Sequence, residues 1–270
     1  MCTVVVRVDP GAEWPVTLLA LRDESPDRPW DPPAAWWPDR DPGVVGVRDQ
    51  QAGGAWLAAS DRNGLAVVLN RWEETPGLDG SWTTRGTLPL DAVVDDAVPG
   101  ADGARPTSRA FNLLRATADG AEVVTWDGTA VRTTALGPGV HMVTHGEPDD
   151  PAAPRVGRWL DVFRAVPAPT GPAGTTPSDE LRVVAAGGDD SDGWGPWFRV
   201  LHASTALAPD DRDAILRDTV EPEGHFATLS IVAAAIGPDR TVLQHTRLAE
   251  PGVLRGAVSP VDVSPAAGSR

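Results

Sequence analysis

Cys2 is the only cysteine among 270 residues, and it stands where a thiol could do chemistry. Were Met1 removed, Cys2 would be terminal and would carry nucleophile and base together, because an α-amine with a pKa of about 7.7 to 8 accepts a thiol proton near neutrality. Cysteine is small enough at the second position for Met1 excision to be expected. Further along, Arg22-Asp23-Glu24 closes a run that is otherwise apolar. Arg22 is expected to lower the thiol pKa or to receive a substrate carboxylate, and Asp23 to hold the α-ammonium. A lone thiol at a strand start is often mere packing, so the charged triplet is what makes Cys2 a candidate.

The elements that must position these groups can be read from the pattern. The β-rich runs Cys2–Val8 and Val16–Leu21 flank the breaker Asp9-Pro10-Gly11, which predicts adjacent antiparallel strands and brings Arg22 and Asp23 back beside Cys2. Ala55–Ser60, the turn Asp61-Arg62-Asn63-Gly64 and Leu65–Leu69 predict a second hairpin. Asn70 ends it, and its amide N–H could meet a developing oxyanion, although asparagine at a strand end is more often a turn residue. Asn112, in the strand predicted over Arg109–Ala116, is a second, weaker candidate. Strands are also expected at Val44–Asp49, Ala121–Trp126, Thr129–Ala135, Val140–Gly146, Trp197–Leu201, Ala227–Ala235 and Arg240–Thr246, with helices near Leu88–Val98 and Arg155–Val166.

The opening Met-Cys, the two β-runs and Arg-Asp-Glu resemble the start of the family named for its Asn-Arg-Asp-Glu motif, whose animal members are called transport and Golgi organization protein 2. Arg28-Pro29, Gly53-Gly54-Ala55-Trp56-Leu57, Leu65 through Arg71 and Phe111-Asn112-Leu113-Leu114 continue the likeness. The family's leading Asn is Leu21 here, which marks a divergent member. That family is in turn similar to the N-terminal nucleophile hydrolases that begin with cysteine. The resemblance implies a four-layer αββα sandwich, with Cys2 attacking an amide, Arg22 and Asp23 orienting it and Asn70 helping to form the oxyanion hole. It also implies an association with haem mobilisation and lipid homeostasis. The strand count alone supports only an α+β domain.

Composition bounds the rest. A net charge of −15 argues against non-specific binding to nucleic acid or an anionic membrane. One cysteine cannot form an internal disulfide, and no run of about 18 apolar residues is present. A cytoplasmic protein is expected, with residues 1–263 as one domain and 264–270 as a disordered tail. The Pro/Asp-rich stretch Arg28–Pro38, read as a loop, carries Trp30, Trp36 and Trp37. These indoles are expected either to seal the loop onto the domain or to wall a cavity for a flat apolar ligand. His141 and His145 fall on a predicted strand, roughly 13 Å apart, so no metal site is expected. Gly187–Gly193 has the composition of a calcium loop without its spacing and is read as solvated.

Three functions follow from this reading. The leading expectation is intracellular binding of an apolar small molecule such as haem or a lipid-like ligand. The alternatives are an N-terminal cysteine amidohydrolase or acyl-transfer enzyme, which requires no cofactor, and an inactive relic of that fold.

Overall fold

The computed structural model describes residues 2–76, 82–169, 194–222, 224–254 and 259–261. The tract 187–193 and the tail 264–270 read above lie outside the described residues.

Two antiparallel sheets form the body of an α+β fold. In the first, β10 (Gly139–Val143), β1 (Thr3–Val8), β2 (Val16–Glu24), β12 (Gly224–Ile236), β13 (Thr241–Arg247) and β14 (Ser259–Val261) lie side by side, and β11 (Asp218–Glu221) adds to β12. In the second, β3 (Trp30–Ala34), β4 (Val45–Asp49), β5 (Ala55–Ser60), β6 (Gly64–Asn70), β7 (Phe111–Thr117), β8 (Gly120–Trp126) and β9 (Val131–Leu136) follow in sequence order.

The first sheet is buried on both faces, which is why its strands read as continuous apolar runs rather than alternating ones. Val4, Val6, Leu18, Ala20, Val232 and Ala234 enter a core shared with the second sheet. Their neighbours Val5, Leu19, Leu21, Ile231 and Ala233 point the other way. There they meet α2 (Pro154–Ala165) and α3 (Gly195–Ser204), through Trp159, Leu160, Phe163, Trp197 and Leu201. Phe163 and Trp197 pack edge to face at 5.5 Å. Helix α1 (Thr87–Asp95) lies against β5 and β6, burying Leu90 and Val93. No helix among the described residues is long and apolar enough to cross a membrane.

Two sequence expectations are corrected here. Trp197–Leu201 is helical, because Trp197, Val200, Leu201 and Ser204 recur at helical spacing on one buried stripe and Pro196 sits in the first turn, where its missing N–H costs nothing. Trp30–Ala34 is a strand, not a loop. It pairs only with β4 at the sheet edge, and its two prolines fall where the register shifts between Asp31 and Ala34, an edge irregularity being where a sheet tolerates proline. The turn at Gly64 is as expected. Its φ is +69°, and an added Cβ would lie 2.1 Å from the Ala116 carbonyl oxygen.

Candidate functional site

One end of the molecule collects the charged residues that interrupt these strands. Register Thr3↔Leu21 in the β1–β2 pair sets Cys2 beside Arg22 and Asp23, as the hairpin pattern required. Strand β12 flanks β2 on its other side with Asp23↔Thr228 and Arg22↔Ser230, a bulge intervening at Leu229. Strand β6 of the second sheet ends here at Asn70.

Cys2 is partly buried, and its Sγ donates to the Asp23 carbonyl oxygen at 3.5 Å. Burial, and then the Asp23 carboxylate, push the Cys2 thiol above its ordinary pKa against the pull of Arg22. Arg22 pulls the thiol pKa down as expected, but with Met1 in place desolvation and the Asp23 charge outweigh it.

Asp23 is buried, with each carboxylate oxygen engaged. Thr228 Oγ1 donates to Oδ1 at 2.7 Å, Arg155 Nη2 donates to Oδ2 at 2.8 Å, and Arg155 Nη1 reaches Thr3 Oγ1 at 2.7 Å. Burial alone would raise the Asp23 pKa, yet the positive chain terminus, Arg155 and these hydrogen bonds hold it below the usual carboxylate value. Arg155 was missed in the sequence. It lies in the first turn of α2 and is 4% exposed among apolar neighbours, so only its burial betrays it.

Arg22 is 2% exposed. Its guanidinium lies 5.4 Å from the Trp30 ring centre, Nη2 is 3.8 Å from Glu24 Oε2, and Nη1 has no partner among the described residues. Burial depresses its pKa.

Two recesses open on Cys2. The larger, about 630 Å³, is lined by Cys2, Asp23, Asn70, Trp72, Trp82 and Arg85 among others. The smaller, about 190 Å³, adds Arg22, Arg28 and Asp49. Cys2, Asp23, Asn70 and Arg85 line both. Arg85, on the turn before α1, donates to the Ala110 carbonyl oxygen at 2.9 Å, and its pKa is pushed down to about 10, first by burial and then by Arg109.

The remaining candidates fall elsewhere. Asn112 is fully buried, and its Nδ2 donates to the carbonyl oxygens of Thr144 at 3.0 Å and Gly146 at 2.7 Å, while Oδ1 accepts from Arg71 and Thr125. Its amide hydrogens being spent, it is a clamp between β7 and the end of β10, not an oxyanion donor. The register explains this: Asn112 pairs with Leu69 and Asn70 with Phe111, so the two asparagines project from opposite faces.

The loop tryptophans do not wall the cleft either. Trp30 is buried between Arg22, Arg247 at 4.7 Å and the His245 ring. Trp36 donates to Pro32 and lies under Arg48, and Trp37 donates to Gly53. They seal the β3 edge, while the cleft takes its aromatic surface from Trp72 and Trp82, 53% and 38% exposed. Their position beside Asn70 and Arg85 in the chain was the missed signal. His141 is held by Asp149 and the Gly137 carbonyl.

The sequence model of a family described as Transport and Golgi organisation 2 matches residues 1–170. No curated protein matches the chain significantly. Among solved structures, the crystal structure of the mutant C2A conjugated bile acid hydrolase from Clostridium perfringens is similar, with a TM-score of 0.50 and 10% identity over 97% of this chain and 92% of that one. At that identity the likeness concerns the fold alone.

Proposed function

Because the chain belongs to the Transport and Golgi organisation 2 family, in which residues 1–170 hold Cys2, Asp23 and Asn70, we propose that it is an N-terminal cysteine hydrolase acting on a C–N amide bond. We take its layers to be the αββα sandwich of N-terminal nucleophile hydrolases, built as one domain over residues 1–263. The observation that carries the reading is convergence: Cys2 just before β1, Asp23 of β2 and Asn70 at the end of β6 in the other sheet line the same recess.

In this reading Met1 is removed and the freed Cys2 amine sits against the anchored Asp23 carboxylate. The thiol gives its proton to that amine as sulfur attacks the amide carbon. The tetrahedral oxyanion takes a hydrogen bond from Asn70 Nδ2, whose side chain has no hydrogen bond among the described residues. Collapse breaks the C–N bond, the leaving amine carries off the proton, and a thioester remains on Cys2. Water then attacks the thioester, the α-amine again accepting and returning the proton. Arg155, Thr228 and Thr3 touch no substrate; they fix Asp23. Arg22 offers its unpartnered Nη1 to a polar group of the substrate in the smaller recess.

Intact-mass measurement on protein isolated from cells, paired with turnover of an amide library by wild type and Cys2→Ala, tests this. Loss of Met1 and turnover abolished by Cys2→Ala are expected. A retained methionine removes the amine from the mechanism.

A second reading, carriage of a flat apolar ligand such as haem, is favoured by the exposed indoles of Trp72 and Trp82 on the cleft wall. No histidine lines that cleft among the described residues, so haem there would be held by ring contact rather than by imidazole. Saturable haem quenching that survives Cys2→Ala and weakens in Trp72→Ala and Trp82→Ala would select it.

A further inference from the structure

The hydrolytic reading makes no use of a second chamber, of about 630 Å³, that adjoins the Cys2 cleft. Trp72 and Glu221 line both cavities, and the polar part of the wall also includes Thr144, His145, Arg155, Asp210, Arg212, Arg217 and Thr219. Three buried polar atoms on this wall have no partner among the described residues: Thr144 Oγ1, His145 Nδ1 and Arg217 Nε. Thr144 is 2% exposed and Arg217 7%. A buried hydrogen bond left unmade is costly, and more so on a charged group. Arg217 Nε can only donate, so whatever completes it must accept.

The charges around it say what kind of acceptor fits. Arg155 is committed to Asp23. Glu221 reaches Arg217 at Nη2, 3.5 Å away, and leaves Nε open. Arg212 stands exposed on the wall with no ion pair among the described residues, and Asp210 is likewise exposed. His145 lines the wall with Nδ1 unpartnered among the described residues, and burial and then Arg155 lower its pKa. The unspent donors are thus the Arg217 Nε–H, the Arg212 guanidinium and the Thr144 hydroxyl, a set suited to an oxyanion.

We propose that this chamber is a subsite for an anionic oxygen group, a carboxylate or a phosphate, borne by a ligand that runs past Trp72 into the Cys2 cleft. It deepens the hydrolytic reading, on which only the second clause rests, by giving the substrate an anionic end.

The test uses full-length protein labelled with fluorotryptophan, with the Trp72 resonance assigned through Trp72→Phe. Sodium acetate and inorganic phosphate are titrated separately at constant ionic strength set by chloride. A saturable shift of the Trp72 resonance is expected for one of them. Its Kd should rise at least tenfold in Arg217→Gln and in Arg212→Gln and stay unchanged in Cys2→Ala. Saturation by acetate assigns a carboxylate, and by phosphate a phosphate group. No saturable shift with either anion, or one indifferent to both arginine substitutions, overturns the subsite. Should Arg217→Gln fail to fold, the exposed Arg212→Gln decides alone. Anion binding intact in a protein that turns over no amide would sink the hydrolytic reading and leave the subsite standing.

Discussion

Arg155 and Asp23, 132 positions apart, meet as an ion pair at 2.8 Å with their side chains 5% and 1% exposed. The pair ties helix α2 to the end of β2, and through Thr3 and Thr228 it reaches β1 and β12 as well. Burying two charges is expensive, and their attraction offsets the cost only when every donor and acceptor is engaged. Here the carboxylate is engaged at both oxygens.

Removing one member should accordingly be severe. Arg155→Met is expected to lower stability by about 3 to 5 kcal/mol, since it leaves Asp23 charged and buried. Asp23→Asn with Arg155→Met should recover part of that loss. Urea unfolding of the two single variants and the double variant measures it, and strict additivity would show that the pair is not coupled.

His245 sets a pH dependence of known sign. Burial, and then Arg247, push its pKa down to about 4, and its Nε2 has no partner among the described residues. The unfolded imidazole titrates near 6.5, so between about pH 6.5 and 4 the unfolded chain binds the extra proton. This contribution is whole above pH 6.5 and shrinks as pH falls, by up to about 3 kcal/mol. The depressed pKa of Asp23 acts in a more acidic window, with stability held above its unfolded value and lost as pH drops further. Unfolding at pH 7 and pH 5 should show a loss in wild type that His245→Phe largely abolishes.

Cys2 should label with iodoacetamide at a midpoint above the ordinary thiol value of about 8.5 in protein that retains Met1. Asp23→Asn should bring that midpoint down, because the carboxylate is the second cause of the rise after burial. A midpoint unmoved by Asp23→Asn would mean that desolvation acts alone.

What the sequence revealed of this site depended on range. The β1–β2 hairpin was legible because its signals are local: a Pro/Gly breaker between two β-runs, then a charged triplet at the end of the second. Asn63-Gly64 likewise announced the turn that delivers Asn70. Arg155 was not legible, because its role depends on a partner 132 positions away and nothing in a helical first turn distinguishes a buried arginine from a solvated one. The short run Trp197–Leu201 fits either period over so few residues, and only the packing partners Phe163 and Trp159 decide for a helix. Trp30 was misplaced for a related reason. Its prolines exclude a central strand but permit an edge, and strand order is a tertiary fact.

The two asparagines make the sharpest test, because sequence reading made both pocket candidates, Asn112 the weaker, and the register puts them on opposite faces. Asn70→Ala should lower kcat by about 10² to 10³ with KM little changed, the loss expected when one oxyanion donor is removed, and should leave stability nearly intact because Asn70 is exposed at a strand end. Asn112→Ala should do the opposite. It strands the Thr144 and Gly146 carbonyl oxygens and the Arg71 and Thr125 donors in the interior, at about 1 to 3 kcal/mol for each buried group left unpaired. Thermal unfolding and steady-state kinetics on both variants give four numbers. Equal kinetic losses at matched stability would place both amides at the reacting carbonyl and refute the opposite-face assignment, whereas a kinetic loss confined to Asn70→Ala identifies it as the donor facing Cys2.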